Sequence, residues 1–516
     1  MIVSAALFAI AFPPFPLFIP VLVCLVPIAI TIARLADGDG TGWDAARVGL
    51  WFGILGYGAN LYWIAIALLL YTKLAILGYL GTLIWLGPAV AIAAAALFTA
   101  RRLTKWPLAL LLPIVWVASE LMLNHLSDLS FPWLPLGLSM SRVPVMAQLA
   151  DVSSVRTVSF WIAAINGLLA DAWLLRNERH RRGAVVQRIV SVLCILAVAW
   201  GYGAWRMSSI ALKPLAQVAI VQPDIPEEAK LNVQDPTTHV ATLTAMTRYE
   251  LRAHAPQLIL WPEAALDQFL WRYPNWLDSL RAATAARPTP ILTGVMDSDN
   301  PLSGDFHYYN AAIITDANGH VGGQPAYRKQ YLVPIVERVP FVNPAWFHGM
   351  NYFGAFSRGV SEQPFEGPFG KVGTMICYES IYPELTRAYA TNGAVMLANI
   401  TNDAWFQRSS APYQHFAHLA FRAIETRLPI VRAANTGISG YIDPLGRVRA
   451  ETPIFVPKTE TYAIQGAGVQ TLYLRLGDWL SGLCAAVTGG LLLVAWRRRR
   501  IDRGGVASEG MDAVRE

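Results

Sequence analysis

Eight apolar stretches constrain this chain more than any other feature of it. About 20 consecutive apolar residues suffice to cross a bilayer as a helix. Seven of the eight stretches precede residue 210: 1–12, which is short and cut by "FPPFP" (12–16), then 17–34, 47–71, 74–100, 107–123, 155–175 and 187–206. The eighth is 475–496. Only 15% of the 516 residues are charged, where soluble domains carry about 25%. Both facts place the chain among membrane proteins. The net charge of +6 is concentrated in "RRLTKW" (101–106), "RNERHRRGAVVQR" (176–188) and "WRRRRIDR" (496–503). Each basic run abuts an apolar stretch, so it reads as a cytoplasmic flank rather than a nucleic-acid surface. In an eight-span topology those three flanks fall on one side. The segment between spans seven and eight then falls on the other, outside the cytoplasm. The first stretch lacks a charged leader, so no cleaved signal peptide is expected.

From about 215 to 470 the character changes to that of a soluble α/β domain. "QVAIVQPDI" (217–225), "QLILWPEAAL" (257–266), "PILTGVMD" (290–297), "KVGTMICYE" (371–379) and "AVMLANITNDAW" (394–405) are apolar runs that end on polar residues. Such runs suit strands buried on both faces. "NAAIITDANGHVGGQPAYRK" (310–329) and "IVRAANTGISGYIDPLGRVRAE" (430–451) read as hairpins. Helical segments at 240–254 and 411–427 alternate with them, which predicts a layered α/β domain. The organisation expected is a bundle of about seven helices over 1–210, the domain over 215–470, a last span at 475–496 and a basic cytoplasmic tail over 497–516.

Three of the four cysteines, Cys24, Cys194 and Cys484, lie in apolar spans. Cys377 alone belongs to the 215–470 domain, so it has no disulfide partner there. It closes "GTMIC" and is either a packed core thiol or a nucleophile on a strand-to-helix turn. Glu263 closes "LILWPE" in the same manner, and Lys329 follows a hairpin strand. Residues at the carboxyl ends of parallel strands converge on one rim, so these three can meet. A thiol nucleophile needs a base, and its tetrahedral intermediate needs positive charge. Other motifs fail as sites. "DGDGTG" (37–42) has Val48 where a calcium loop needs glutamate. "HFAH" (415–418) lacks the glutamate of a zinc helix, and "NTGISG" is not a serine elbow. No metal or cofactor is expected.

Taken in order, "WPEAAL", "YRKQYLVPIVERVPF", "FSRG" (356–359), "ICYE", "NDAWF" (402–406), "QHF" (414–416) and the "FPWLPLG" loop (131–137) resemble the nitrilase, or carbon–nitrogen hydrolase, superfamily. With the surrounding spans they resemble its membrane branch, the apolipoprotein N-acyltransferases. That resemblance implies an α-β-β-α sandwich beside a membrane bundle. It implies Cys377 as nucleophile, Glu263 as general base and Lys329 as oxyanion stabiliser, with Glu337, Glu379 and Tyr378 in support. Phe341, Trp346, Tyr352 and Phe353 are expected to line an apolar entry. The partners it implies are a membrane phospholipid as acyl donor and a diacylated apolipoprotein as acceptor, for a monomer in the bacterial inner membrane with its catalytic domain in the periplasm. The chain departs from the family pattern at Pro223, Leu231, Val336, Arg338 and Leu123, which leaves room for another amine acceptor. A membrane-tethered amidase and a non-catalytic assembly protein are the alternative readings.

Overall fold

The chain is described by a computed structural model over residues 1–15, 17–69, 75–226, 237–270, 272–299, 307–339 and 356–512, together with Lys73 and Asn343. Among these residues five helices are long and apolar enough to cross a membrane: Ile19–Asp37, Ala75–Thr104, Val155–Leu175, Arg182–Ser209 and Trp479–Ile501. The pair Gly42–Leu61 and Trp63–Leu69, bent by 53°, makes a sixth if it is one span. Two more of the expected segments are helical but short, Leu108–Asn124 with 17 residues and Ile2–Ala9 with eight. Among the described residues, length and composition therefore give five or six spans, where the sequence suggested about eight. "DGDGTG" is not a ligand loop but a helix start. Thr41 and Asp44 form a reciprocal capping box at the head of Gly42–Leu61. Asp37 pairs with Arg101 and Lys105 of the first basic run. Helices approach closely where glycine permits it: a Cβ on Gly167 would sit 2.4 Å from the Leu108 carbonyl oxygen. The basic tail is not extended. It continues the last helix to Asp512.

Thirteen strands follow the bundle among the described residues. They are β1 (Lys213–Gln222), β2 (Leu258–Leu260), β3 (Leu266–Phe269), β4 (Ile291–Ser298), β5 (Tyr308–Ile314), β6 (Tyr327–Arg328), β7 (Phe365–Gly367), β8 (Gly370–Ile376), β9 (Ala394–Thr401), β10 (Ile430–Ala434), β11 (Gly440–Ile442), β12 (Val448–Glu451) and β13 (Lys458–Gly466). One sheet has the order β13-β1-β2-β4-β5-β6 with β3 beside β4, and the other β12-β11-β10-β9-β8-β7. The middle of each is parallel: β1, β2 and β4 in the first, β8, β9 and β10 in the second.

Strand periodicity explains the layers. Val218, Ile220, Leu258 and Leu260 belong to the core between the sheets. Their alternates Ala219, Val221, Ile259 and Trp261 pack instead with Val240, Leu243, Trp276 and Leu280 of the helices Thr237–Ala253 and Asn275–Thr284. The helices Pro383–Thr391 and Ala411–Thr426 accompany the second sheet, so the domain is an α-β-β-α sandwich. The membrane bundle docks on this second side. The loop carrying "FPWLPLG" presents Ser130 to the hydroxyls of Tyr378 and Tyr382. Trp133 and Trp63 both donate to the Gln414 side-chain oxygen.

Candidate active site

Each residue singled out at a strand end sits at the rim where the two sheets meet. Glu263 follows β2, Lys329 follows β6 and Cys377 follows β8 directly. All three side chains are buried, at 2%, 1% and 3% exposure. An ion pair of buried partners needs further hydrogen bonds to offset desolvation, and here they are supplied. Lys329 Nζ lies 3.3 Å from Glu263 Oε1 and 2.8 Å from Glu337 Oε1. The Asn310 side-chain amide donates to both carboxylates, at 2.7 and 3.0 Å. The second oxygens accept from backbone: Asn402 N–H to Glu263 at 2.8 Å and Val333 N–H to Glu337 at 2.8 Å. Gly294 lets β4 pass beneath, since a Cβ there would lie 2.7 Å from the Glu263 Cα. Burial works against the Lys329 ammonium, but the charges of Glu263 and Glu337 outweigh it and hold the proton on.

Glu379 reaches across the gap between the sheets. Its Oε2 accepts from the Ile376 N–H at 2.8 Å, at the end of β8. Its Oε1 accepts from the Tyr327 hydroxyl at 2.7 Å and the Gln330 N–H at 2.6 Å, on either side of Lys329. One carboxyl thus pins the lysine segment to the cysteine turn. Burial pushes it up to about 7, and these donors oppose the rise.

Cys377 has φ +50°, a left-handed conformation unusual for a residue with a side chain. It opens a short 3-10 turn, Cys377–Ile381, which throws the thiol out of the strand. A neighbouring lysine taken alone favours a thiolate. The surroundings as a whole do the reverse. Burial and the Glu263 charge drive the thiol well above its usual range, and Lys329 recovers only part. These surroundings favour the neutral thiol over the thiolate.

Behind the cysteine lies a group to which the motifs "NDAWF" and "QHF" assigned no role. His415 Nε2 is 3.0 Å from the Cys377 carbonyl oxygen, and His415 Nδ1 is 3.1 Å from Asp403 Oδ1. Arg432 binds Asp403, and also Asn399 Oδ1 at 2.9 Å. Ligand atoms of Cys377, Asp403 and His415 lie within 4.8 Å of one another, as in a metal site. The guanidinium of Arg432 already sits against both Asp403 and His415, however, and supplies the positive charge that a metal would bring. It holds Asp403 down at about 2 despite burial. The available signal was Arg432 itself, a charge in the otherwise apolar strand "PIVRAAN".

Cys377 also opens onto a cavity of about 320 Å³. Its walls come from three places: Trp63, Leu68 and Trp85 of the membrane helices, Phe131 of the docking loop, and Val336 and Phe406 of the sandwich. Nearly every lining group is apolar. Tyr378 stacks on Trp133 nearby, at 6.1 Å and 17°. Phe341, Trp346, Tyr352 and Phe353, expected at the entry, lie outside the described residues, as does Leu231.

Comparison with known proteins now identifies the family. Residues 217–473 match the carbon–nitrogen hydrolase family model, and residues 4–168 match that of the apolipoprotein N-acyltransferase N-terminal domain. Apolipoprotein N-acyltransferase of Geobacter metallireducens is 32% identical over 97% of this chain and 95% of its own length. This chain belongs to the apolipoprotein N-acyltransferase family. The namesake from Rhodopseudomonas palustris is 31% identical over 96% of the chain and 94% of its own length. Among solved structures, an amidase from Nesterenkonia sp. is 18% identical, covering 52% of this chain and 95% of its own, at a TM-score of 0.38. As a member of this family the chain is an acyltransferase of lipoprotein biosynthesis with a nitrilase-like domain. Its apolar helices fit a multi-pass protein of the bacterial inner membrane.

Proposed function

We propose that this enzyme takes an acyl chain from a membrane phospholipid onto Cys377 and passes it to the α-amine of a diacylglyceryl-cysteine at the N-terminus of an apolipoprotein. The observation that carries this reading is the cavity. A nucleophile for a soluble amide has no need of a pocket walled half by membrane helices, whereas an acyl chain needs just such a wall. In the first step Glu263 removes the thiol proton as Sγ bonds to the ester carbonyl carbon. The oxyanion forms beside the Lys329 ammonium, where a fixed charge in a dry site is most effective. Collapse breaks the carbon–oxygen bond, and Glu263 returns the proton to the departing lysophospholipid. In the second step the amine attacks the thioester, Glu263 takes a proton from the nitrogen, and the carbon–sulfur bond breaks as the thiol is reformed. Storing the acyl group on sulfur lets two bulky lipids use one cavity in turn. Glu337 and Glu379 hold the lysine and the cysteine turn in place.

The Arg-rich flanks share one side of the membrane if the 17-residue helix Leu108–Asn124 also crosses it, and this supports a sandwich on the periplasmic face, because positive flanks stay in the cytoplasm. The test is two-substrate kinetics with phospholipid and a synthetic diacylated lipopeptide. Parallel double-reciprocal lines and a triacylated amide product are expected, with Glu263→Gln and Cys377→Ala inactive. Intersecting lines would remove the acyl-enzyme. Free fatty acid in place of the amide would make the chain an amidase-like hydrolase.

A further inference from the structure

The Cys377 carbonyl is not left to the turn that contains it. His415, from the helix Ala411–Thr426, reaches it through Nε2 at 3.0 Å. A carbonyl oxygen has no hydrogen to give, so Nε2 must be the donor. The other ring nitrogen then carries a lone pair and accepts from Arg432 Nη2 at 3.1 Å, and the same guanidinium binds Asp403. Arg432 is anchored on β10, and its contact with Asn399 ties it to β9. Asn399 donates to the Met375 carbonyl on β8 at 3.1 Å. His415, Asp403, Arg432 and Asn399 are all 0–1% exposed. Trp133 and Phe406 flank the imidazole, at 5.6 and 6.2 Å between ring centres. A fully buried polar network of this kind is retained only if its members are satisfied, and this one ends on the peptide that follows the nucleophile.

That peptide is planar and trans, so its carbonyl and its N–H point in opposite directions. Fixing the Cys377 carbonyl toward the helix fixes the Tyr378 N–H away from it. It stands in the first positions of the 3-10 turn Cys377–Ile381, where a helical N–H has no acceptor within its own turn. We infer that His415, held by Arg432, which Asp403 anchors, is a positioning residue that aims the Tyr378 N–H at the oxyanion beside Lys329. The inference rests on Cys377 being acylated. It adds that the back side of the turn sets the rate of that acylation without touching substrate. It also explains why a residue carrying a Cβ is held at φ +50°: the hydrogen bond from His415 offsets the strain.

The experiment compares two reactions of the same thiol. Acyl transfer from phospholipid passes through an oxyanion, whereas alkylation by iodoacetamide displaces iodide and forms none. In His415→Phe the single-turnover acylation rate should fall about 100-fold, the usual order for losing an oxyanion donor. Alkylation of Cys377 should stay within about threefold. His415→Gln, whose side-chain amide reaches toward the Nε2 position, should recover at least about tenfold of the loss. KM for phospholipid should not change in either variant. Equal falls in acylation and alkylation would make His415 a support for the thiol or the fold and overturn the inference. So would wild-type acylation in His415→Phe, or failure of His415→Gln to recover activity at unchanged alkylation. If wild type itself gains no acyl mass, the proposed function fails first, and the two failures are thereby told apart.

Discussion

At the scale of single residues, a neutral thiol and a shared carboxylate make separate predictions. Cys377 is driven above its usual range by burial and the Glu263 charge. Its alkylation by iodoacetamide should therefore rise about tenfold per pH unit to pH 9 and beyond, because only the thiolate reacts. A plateau below pH 7 would mean a preformed thiolate. Glu379 accepts from one N–H on the cysteine side and from three groups on the lysine side. In Glu379→Gln the amide nitrogen cannot accept, so a buried donor is stranded at a cost of about 1–3 kcal/mol. The apparent Tm in detergent should fall at every pH. The folded pKa of about 7 lies above the ordinary glutamate value of 4.5. The folded state thus binds the proton more tightly, and this contribution is complete below about pH 4.5 and is lost as pH rises through 7. The Tm gap between wild type and variant should narrow across that window and stay constant above it. At this scale the strand-end positions of Glu263 and Cys377 were legible because a polar residue closing an apolar run stands out, and that of Lys329 because it follows a hairpin. Asn310, Asp403 and His415 were not. Their meaning depends on contacts between elements far apart in the chain, such as His415 on the carbonyl 38 residues before it.

At the scale of elements, the cavity joins a helix of the bundle to the loops of the sandwich. Gly81 lines it, and a Cβ there would meet nothing within 4 Å. Gly81→Leu should fill space without a clash and leave the helix Ala75–Thr104 at least as stable, since glycine is a poor helix former by about 1 kcal/mol. The expected result is an unchanged or higher Tm, with acylation slowed several-fold for long-chain phospholipid and little for a short-chain donor. Equal rates for both donors would place the acyl chain elsewhere. The alternation of apolar runs and helices revealed the parallel centre of each sheet, and the two hairpins were read at their turns. β13 was not anticipated. Its sequence "KTETYAIQG" alternates polar residues as a half-exposed edge does, and only pairing with β1 makes it a strand. The cavity walls were equally hidden, because Trp63, Leu68 and Trp85 look like ordinary membrane residues until the sandwich is laid upon them.

At the scale of the whole molecule, bundle and sandwich are joined by buried ion pairs. Arg156, at 2% exposure on the helix Val155–Leu175, pairs with Asp478 just before the last helix. It also lies 3.2 Å from Glu384 of the sandwich. Arg427 and Arg206 share Asp151 in the same way. Removing one partner of such a group leaves charge uncompensated, so Arg156→Met should cost about 3 kcal/mol, read as a lower Tm. It should also give earlier proteolytic release of the sandwich. The division into bundle and sandwich was readable from composition. Their mode of docking was not, since Tyr378 and Ser130, joined by a hydrogen bond, are far apart in sequence.

The central claim is that Cys377 carries the acyl group between a phospholipid and an amine. The most direct measurement is the intact mass of the purified protein after incubation with phospholipid vesicles, beside Cys377→Ala. One fatty-acyl mass is expected on wild type alone, located on the peptide containing Cys377 and discharged when a diacylated lipopeptide is added. An active preparation that acylates the lipopeptide while its own mass never changes, or an equal adduct on Cys377→Ala, would contradict that claim.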